Sequence, residues 1–245
     1  MSETFRIQEG FDVRFDWGPK AVEHFGPLSG AVVLIDVLRF GTAVDAVIKA
    51  GGQVRPLRWA ERNGRAATDR YLSPWALEKE TKPGAIVELP SPNGAELSVL
   101  AASHGVNVLA GCLRNAHAVA KAARGLADGR PITVIACGER WEDGEALRPC
   151  IEDHLGAGAV LSELGAGLSP EAETACRLFL SLTSKVPEIL RECASARELR
   201  ERGYENDVIF AADVDVSDMA PVLRDGLYVD GRQVLTGARA STRQS

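Results

Sequence analysis

The segment AVVLIDV, residues 31–37, decides the fold class of this chain. It is an almost continuous run of apolar and β-branched residues, which is typical of a strand buried on both faces of a parallel sheet. Residues 42–50 follow with apolar side chains at helical spacing, and Gly51-Gly52 ends that helix. A buried strand that leads directly into a helix predicts one unit of an α/β fold.

The same alternation continues on both sides of this unit. Residues 4–17 are interpreted as one or two short strands, FRIQ and DVRF, and Pro19 opens a short helix. Further strands are predicted at 54–57, 85–89, 106–110 and 132–137. Further helices are predicted up to residue 102, at 115–126 with Asn115 as the cap, and at 149–164. Strands that alternate with helices indicate a parallel sheet covered by helices. We therefore predict an α/β fold in three layers, with a mostly parallel sheet, helices on both faces and a helical C-terminal part.

The C-terminal third departs from this alternation. Residues 171–202 are predicted to be wholly helical, and residues 208–235 to finish with a short strand and a hairpin around 229–232. We expect one domain over residues 1–237, with two subdomains at about 1–165 and 166–237 as the alternative. Residues 238–245 are expected to be a frayed tail.

Composition and charge exclude several classes of protein. The formal net charge is −6, so the chain lacks the broad basic field that binds nucleic acid or an anionic membrane. No segment approaches the ~18 apolar residues of a membrane-spanning helix, and no signal peptide is recognised. The five cysteines are odd in number and form no C-x-x-C pair, which argues against a disulfide framework or a zinc site. We expect a soluble cytoplasmic protein, with a homodimer left open.

Polar residues stand where the predicted strands end, and ligands of open parallel sheets bind at the carboxyl ends of the strands. Asp36 can hold a hard cation there, and Arg39 can bind a phosphate or carboxylate. Ser91-Pro92-Asn93-Gly94 precedes a helix, whose free N–H groups and dipole favour an anion. In the alternative interpretation, Asp36 accepts from loop amides and pairs with Arg39, while Asn93 only caps the helix.

Glu152 and Asp153 lie in the first turn of the helix at 149–164. This helix is apolar on most faces, so we expect it to be buried with its acidic end beside Asp36. Two or three carboxylates converging there would form a magnesium site, completed by waters and the substrate phosphate. The alternative is that both residues only stabilise the helix dipole. The polar stretch 61–74 is either a substrate loop or simply a solvated loop.

Spacing excludes several other mechanisms. The motifs C-x₅-R, G-x-S-x-G and G-x₄-G-K-[ST] are absent, and the four histidines lack the spacing of metal ligands. Asp213-Val214-Asp215 follows VIFAA (208–212) and mimics the aspartyl nucleophile of haloacid-dehalogenase-type phosphatases. Only about thirty residues remain after it, too few for the core of that fold. Gly156 and Gly158 lie inside a predicted helix and are interpreted as close-packing glycines.

Seven blocks, in order, resemble the 2-phosphosulfolactate phosphatase family. They are IDVLRFGTAVDAVIKAGG (35–52), AERNG (60–64), LSP (72–74), ELPSPNGAEL (88–97), VLAGCLRNAHAVA (108–120), IACG…CIEDHLGAGAV (135–160) and GYENDVIFAADVDVSDMAPVL (203–223). The resemblance implies magnesium-dependent removal of phosphate from 2-phospho-3-sulfolactate, on an α/β fold of the family's own. The implied partner is a small phosphorylated acid.

The resemblance also implies a set of site residues and a cofactor, Mg²⁺. The metal is expected on Asp36, Glu152 and Asp153. Catalysis is assigned to Asp36, Arg39 and Asp153, with the metal polarising the phosphoryl group and orienting a water for in-line attack. Substrate binding is assigned to a larger set: Arg62, Ser73, Ser91, Asn93, Gly94 and Gly138.

The chain departs from the family pattern around the expected substrate pocket. Pro92 and Ala95 stand where the family carries threonines, and DRYL (69–72) replaces the residues expected before Ser73-Pro74. Two alternatives therefore stay open. One is the same chemistry on a different phosphorylated hydroxy acid or sugar phosphate, and the other is a non-catalytic anion-binding or regulatory protein on the same fold.

Overall fold

The structure is a computed structural model that describes residues 4–62, 69–141 and 146–232. Its strands are β1 (Val13–Trp17), β2 (Ala31–Ile35), β3 (Gln53–Leu57), β4 (Ile86–Pro90), β5 (Asn107–Gly111), β6 (Ile132–Ala136), β7 (Glu139–Arg140), β8 (Leu147–Arg148), β9 (Pro221–Arg224) and β10 (Leu227–Asp230). Its α-helices are α1 (Gly18–Phe25), α2 (Phe40–Lys49), α3 (Pro74–Glu80), α4 (Gly94–Ser103), α5 (Ala116–Ala127), α6 (Ile151–Leu164), α7 (Pro170–Leu182), α8 (Val186–Glu192), α9 (Ala194–Glu201) and α10 (Glu205–Ala211).

Eight of the strands form one sheet in the order β1-β6-β2-β5-β9-β10-β3-β4. Strands β1, β6, β2 and β5 pair in parallel, and so do β3 and β4. The hairpin β9–β10 lies between these two blocks and pairs antiparallel with β5 on one side and β3 on the other. The predicted mostly parallel α/β sheet is confirmed, with an antiparallel insertion from the end of the chain.

Strand β2 is buried on both faces, as its sequence predicts. Val33 and Ile35 pack with the helices α5 to α10 in one apolar cluster. Val32 and Leu34 point the other way and pack with α1, α2 and α4 in a second cluster. Because successive side chains of a strand face opposite sides, one apolar run fills both clusters. This arrangement gives the three predicted layers and places the end of β2 in the interior.

Two glycines let α6 pack closely against its neighbours. A Cβ atom on Gly156 would lie 2.7 Å from Val37 Cγ2, and one on Gly158 would lie 2.4 Å from the Ala175 carbonyl oxygen. These distances are shorter than any ordinary van der Waals contact, so the close-packing interpretation of both glycines is confirmed. The consequence for the site is that the first turn of α6 reaches the end of β2.

Several local predictions are wrong. Residues 4–7 form a 3₁₀ helix and not a strand. The apolar run VIFA at 208–211 belongs to α10, with Ala212 as its C-cap, and not to a strand, because a short apolar run fits either element and acidic residues in the first turn favour the helix. The Asn115 side chain does not cap α5, since its Oδ1 accepts the Cys112 backbone N–H at 2.9 Å.

The C-terminal hairpin turns earlier than predicted. Its two turn residues are Asp225 and Gly226, with φ angles of 50° and 79°, and not the residues around 229–232. Positive φ at both positions is the signature of a type I′ turn, for which Asp-Gly is a favoured pair.

The predicted tail at 238–245 lies outside the described residues. Among the described helices, none combines the length and apolar character that crossing a membrane requires.

Candidate active site

Asp36 follows β2 and is almost fully buried. Its Oδ1 accepts the Phe40 backbone N–H at 2.9 Å, and its Oδ2 accepts the Gly94 backbone N–H at 3.0 Å. Gly94 is the first residue of α4, so the anion at this helix N-terminus is the carboxylate of Asp36 itself. A Cβ atom on Gly94 would lie 2.7 Å from Asp36 Oδ2, so only glycine allows this approach.

Asp153 joins α6 to the ends of two neighbouring strands. Its Oδ1 accepts the Val37 backbone N–H, after β2, and its Oδ2 accepts the Gly138 backbone N–H, after β6, both at 2.8 Å. Glu152, the preceding residue, is also buried. The structure therefore brings the predicted trio of Asp36, Glu152 and Asp153 to one edge of the sheet.

Glu139 is a fourth carboxylate at this edge, and it is not among the site residues predicted from the sequence. It begins β7 directly after Gly138, and its Oε2 accepts a hydrogen bond from Asn93 Nδ2 at 2.8 Å. An acidic residue just past the end of β6 carries the same signal that pointed to Asp36 after β2. We call the expectation that ligands bind at the carboxyl ends of parallel strands the strand-end rule. Applied to every strand, this rule points to Glu139 as well.

Burial and mutual repulsion dominate the electrostatics of these carboxylates. Burial, together with the negative charge of Glu139, raises the pKa of Asp36 to about 7, and the two backbone N–H donors oppose this rise. Burial, with the charges of Asp36 and Glu152, raises the pKa of Asp153 well above its ordinary value. Burial also raises the pKa of Glu139, which its bond to Asn93 and the charge of Arg148 partly offset. The cluster would be stabilised by a cation.

We expect the metal-free protein to lose stability as the pH rises from about 4 to about 7. In this interval the unfolded chain has released the Asp36 proton, with its ordinary pKa of 3.8, while the folded protein, with a pKa of about 7, retains it. The stabilisation is therefore complete below pH 3.8 and is lost as the pH passes through 7. Thermal unfolding in metal-free buffer across this range checks the slope. Asp36→Asn should flatten it, and a wild-type profile without any fall would contradict the assignment.

A cleft of ≈ 370 Å³ opens beside the carboxylates. Asp36, Arg39, Ser91, Asn93 and Glu139 form its wall on the side of the sheet, and the other wall comes from α9 with Ser195, Glu198 and Leu199. A larger cavity of ≈ 590 Å³ lies beside His117 and Asp215. We assign the site to the smaller cleft because the buried Asp36 and Arg39 and the part-buried Glu139 line it.

Arg39 is held by the helical C-terminal part. Its guanidinium donates to Asp207 Oδ2 of α10 at 2.7 Å and lies 4.4 Å from the centre of the Tyr204 ring. Both charged side chains are buried, at 4% and 1% exposure. The structure thus pairs Arg39 with Asp207, where the alternative interpretation paired it with Asp36. Asp207 belongs to the quoted block GYENDV, but no pattern in the sequence assigns it a role.

The remaining predicted residues support the cleft through their neighbours. Ser73 donates its hydroxyl to Asp207 Oδ1 at 2.5 Å and caps α3. Ser91 Oγ accepts the Asn93 backbone N–H at 3.2 Å. Arg62 stacks on Trp59, 4.5 Å from the ring centre, and Trp59 lines the cleft. Their direct roles in substrate binding stay predictions. Residues 63–68 of the expected substrate loop lie outside the described residues.

A tight cluster of three metal-binding side chains does occur in the described part of the chain, but elsewhere. His117, Glu163 and Asp215 are all exposed, and their ligand atoms lie within 4.8 Å of one another. Among the described residues, the cleft carboxylates do not form a cluster that compact. A cation in the cleft would therefore take few direct carboxylate ligands and keep several waters, which is the usual coordination of Mg²⁺.

Comparisons with known proteins agree with the motifs. The family model described as 2-phosphosulpholactate phosphatase matches residues 53–226. The chain is 28% identical over 209 residues to the 2-phosphosulfolactate phosphatase of Methanothermobacter thermautotrophicus, covering 81% of this chain and 88% of that protein. It is 29% identical over 216 residues to a probable 2-phosphosulfolactate phosphatase of Thermus thermophilus, covering 79% and 87%. A probable 2-phosphosulfolactate phosphatase of Thermotoga maritima is 27% identical, with 80% and 90% covered.

Proposed function

Because the chain belongs to the 2-phosphosulfolactate phosphatase family, we propose that it is a magnesium-dependent phosphatase that releases phosphate from 2-phosphosulfolactate. One structural observation supports the proposal above the others. On the side of the sheet, a small cleft presents two carboxylates, Asp36 and Glu139, beside the buried cation Arg39. Such a cleft can hold a metal ion and a phosphoryl group side by side.

The donor set suits Mg²⁺. All four acidic groups offer hard oxygen ligands, which this ion prefers. Asp36 and Asp153 each receive one backbone N–H on each oxygen, and every carboxylate oxygen has a second lone pair for a metal or its waters. When bound, Mg²⁺ would neutralise charge on the phosphoryl oxygens and lower the pKa of a coordinated water. Asp36, Glu152 and Asp153 remain the proposed holders.

The protein's own residues would position the substrate. Arg39 lines the cleft and can donate two parallel hydrogen bonds to phosphoryl or carboxylate oxygens. Its ion pair with Asp207 and its stacking on Tyr204 fix the guanidinium before the substrate arrives. The Gly94 N–H, bonded to Asp36, serves here to orient the carboxylate. Catalysis of this kind is mostly positioning and neutralisation of charge.

Phosphate release from a panel of small phosphomonoesters tests the proposal. We expect release from 2-phosphosulfolactate with Mg²⁺, loss of release in EDTA, and recovery when Mg²⁺ is restored in excess. Activity that survives EDTA would contradict the metal dependence but not the reaction. A folded protein that releases phosphate from no member would contradict the proposed function.

A different phosphorylated hydroxy acid or a sugar phosphate is a second candidate substrate. Pro92, which replaces a threonine of the family pattern, lines the cleft. The pocket therefore lacks one hydroxyl donor next to Asn93, and a substrate with one fewer hydrogen-bond acceptor would fit it better. The same panel distinguishes the two, since the preferred substrate has the highest kcat/KM.

We also propose that the protein acts in the cytoplasm. All five cysteines are free and buried, which suits a reducing compartment. The homodimer stays a prediction, and sedimentation or light scattering would decide it.

A further inference from the structure

Two consecutive residues position the two carboxylates that line the cleft on the side of the sheet. The backbone N–H of Gly94 binds Asp36, and the side chain of Asn93, one residue earlier, binds Glu139. Asn93 is itself held, because its backbone N–H donates to Ser91 Oγ. The start of α4 thus fixes both side chains at the same point of the cleft wall.

The carboxylates at this edge of the sheet differ in whether they line the cleft. Asp153 directs its two oxygens to backbone N–H groups after β2 and β6, inside the protein. Asp36 and Glu139 form part of the cleft wall. A metal ion that contacts both the protein and a phosphoryl group must lie at that wall. The carboxylates there are the ones that can reach it.

We propose that Glu139, together with Asp36, holds Mg²⁺ in the position where it meets the substrate phosphate. This inference rests on the proposed function and changes its metal site, because Glu139 joins Asp36 as a direct ligand while Asp153 orients the strand ends behind them. Asn93 is then a positioning residue, which fixes Glu139 through one oxygen and leaves the remaining lone pairs to the metal.

The local charges are consistent with this role. Arg148 faces Glu139 across the β7–β8 ladder, but its guanidinium donates to Ser195 Oγ of α9 at 3.2 Å. Among the charged neighbours of Asp36, Glu139 raises the pKa of Asp36 the most. Two mutually repelling carboxylates in a part-buried cleft are held together by hydrogen bonds alone until a cation lies between them.

Glu139→Gln tests the proposal with little change of shape, because glutamine can still accept the Asn93 hydrogen bond. Glu173→Gln is the matched control, since it removes the same charge from an exposed side chain of α7 that does not line the cleft. The measurement is the affinity for Mn²⁺, a probe that binds Mg²⁺ sites, by calorimetry without substrate. We expect Glu139→Gln to weaken Mn²⁺ binding by about 10- to 100-fold. The control should differ from wild type by less than about 3-fold, since exposed charges contribute little.

Thermal unfolding separates this effect from misfolding. Without metal, Glu139→Gln should unfold at or above the wild-type temperature, because a repulsion has been removed. With Mn²⁺, it should gain less stability than the wild type does. Wild-type affinity in Glu139→Gln, or no Mn²⁺ binding by the wild type, would overturn the inference. A wild type that binds Mn²⁺ through Glu139 but hydrolyses no phosphomonoester would instead contradict the proposed function alone.

Discussion

Replacing Asp36 with asparagine should lower phosphate release at saturating Mg²⁺ by at least about 100-fold. Asparagine has nearly the same shape but carries no charge, so the metal loses its central ligand. Its amide also replaces one acceptor oxygen with an NH₂ group. In the wild type both oxygens accept backbone N–H groups, from Phe40 and Gly94. In the variant, the NH₂ group would face one of these two N–H donors, and neither group could accept. Initial rates of phosphate release over a series of Mg²⁺ concentrations measure the effect.

Asp213→Asn is the control for this variant. Asp213 begins the motif that mimics an aspartyl nucleophile, its side chain is 59% exposed, and it pairs with Arg114. The structure places the preceding residues in helix α10 and not on the strand that such a nucleophile requires. We expect a change in rate of less than about 3-fold, as for other surface substitutions. Loss of activity in Asp213→Asn with an active Asp36→Asn would reverse the assignment.

Replacing Asp207 with alanine should lower the free energy of unfolding by about 3–5 kcal/mol. Arg39 and Asp207 are both buried, so the variant leaves a desolvated guanidinium without this carboxylate. It also removes the acceptor of the Ser73 hydroxyl, which donates to the second oxygen of the same carboxylate. Because Arg39 lines the cleft, the rate should fall as well. Urea unfolding followed by fluorescence gives the stability.

Glu173→Ala is the matched control for a broken ion pair. Glu173 pairs with Arg177 at 2.6 Å, about as close as Asp207 and Arg39, but the two side chains are 41% and 76% exposed. Water solvates both charges, so the change in stability should stay under about 1 kcal/mol. If both variants had the same small effect, the buried pair would not be what fixes Arg39.

Much of the fold follows from local patterns. The two-sided apolar run of β2 predicted a buried parallel strand, and the glycines of α6 predicted close packing. The strand-end rule also pointed to Asp36 and to the loop of Asn93, which the structure joins through Gly94. These features depend on residues near one another in sequence, or on one simple rule about sheets.

The rest depends on contacts between distant parts of the chain. Asp207 lies 168 residues from Arg39, and no local pattern links them. The placement of β9 and β10 between β5 and β3 is likewise set by packing of the whole chain. The Gly94 N–H predicted to bind a substrate anion at the start of α4 donates to Asp36, because this internal carboxylate already lies within hydrogen-bond distance.

The position of the β9–β10 hairpin has a consequence for synthesis on the ribosome. Residues 221–230 supply the strands that join β3 and β4 to the rest of the sheet, yet Pro221 is translated 110 residues after Gly111, the end of β5. At a translation rate of 5–20 residues per second, the edges of β3 and β5 that the hairpin later covers therefore stay unpaired for roughly 10 s. During that interval the nascent chain is a substrate for chaperones, and a messenger truncated before codon 221 would yield two half-sheets that cannot close.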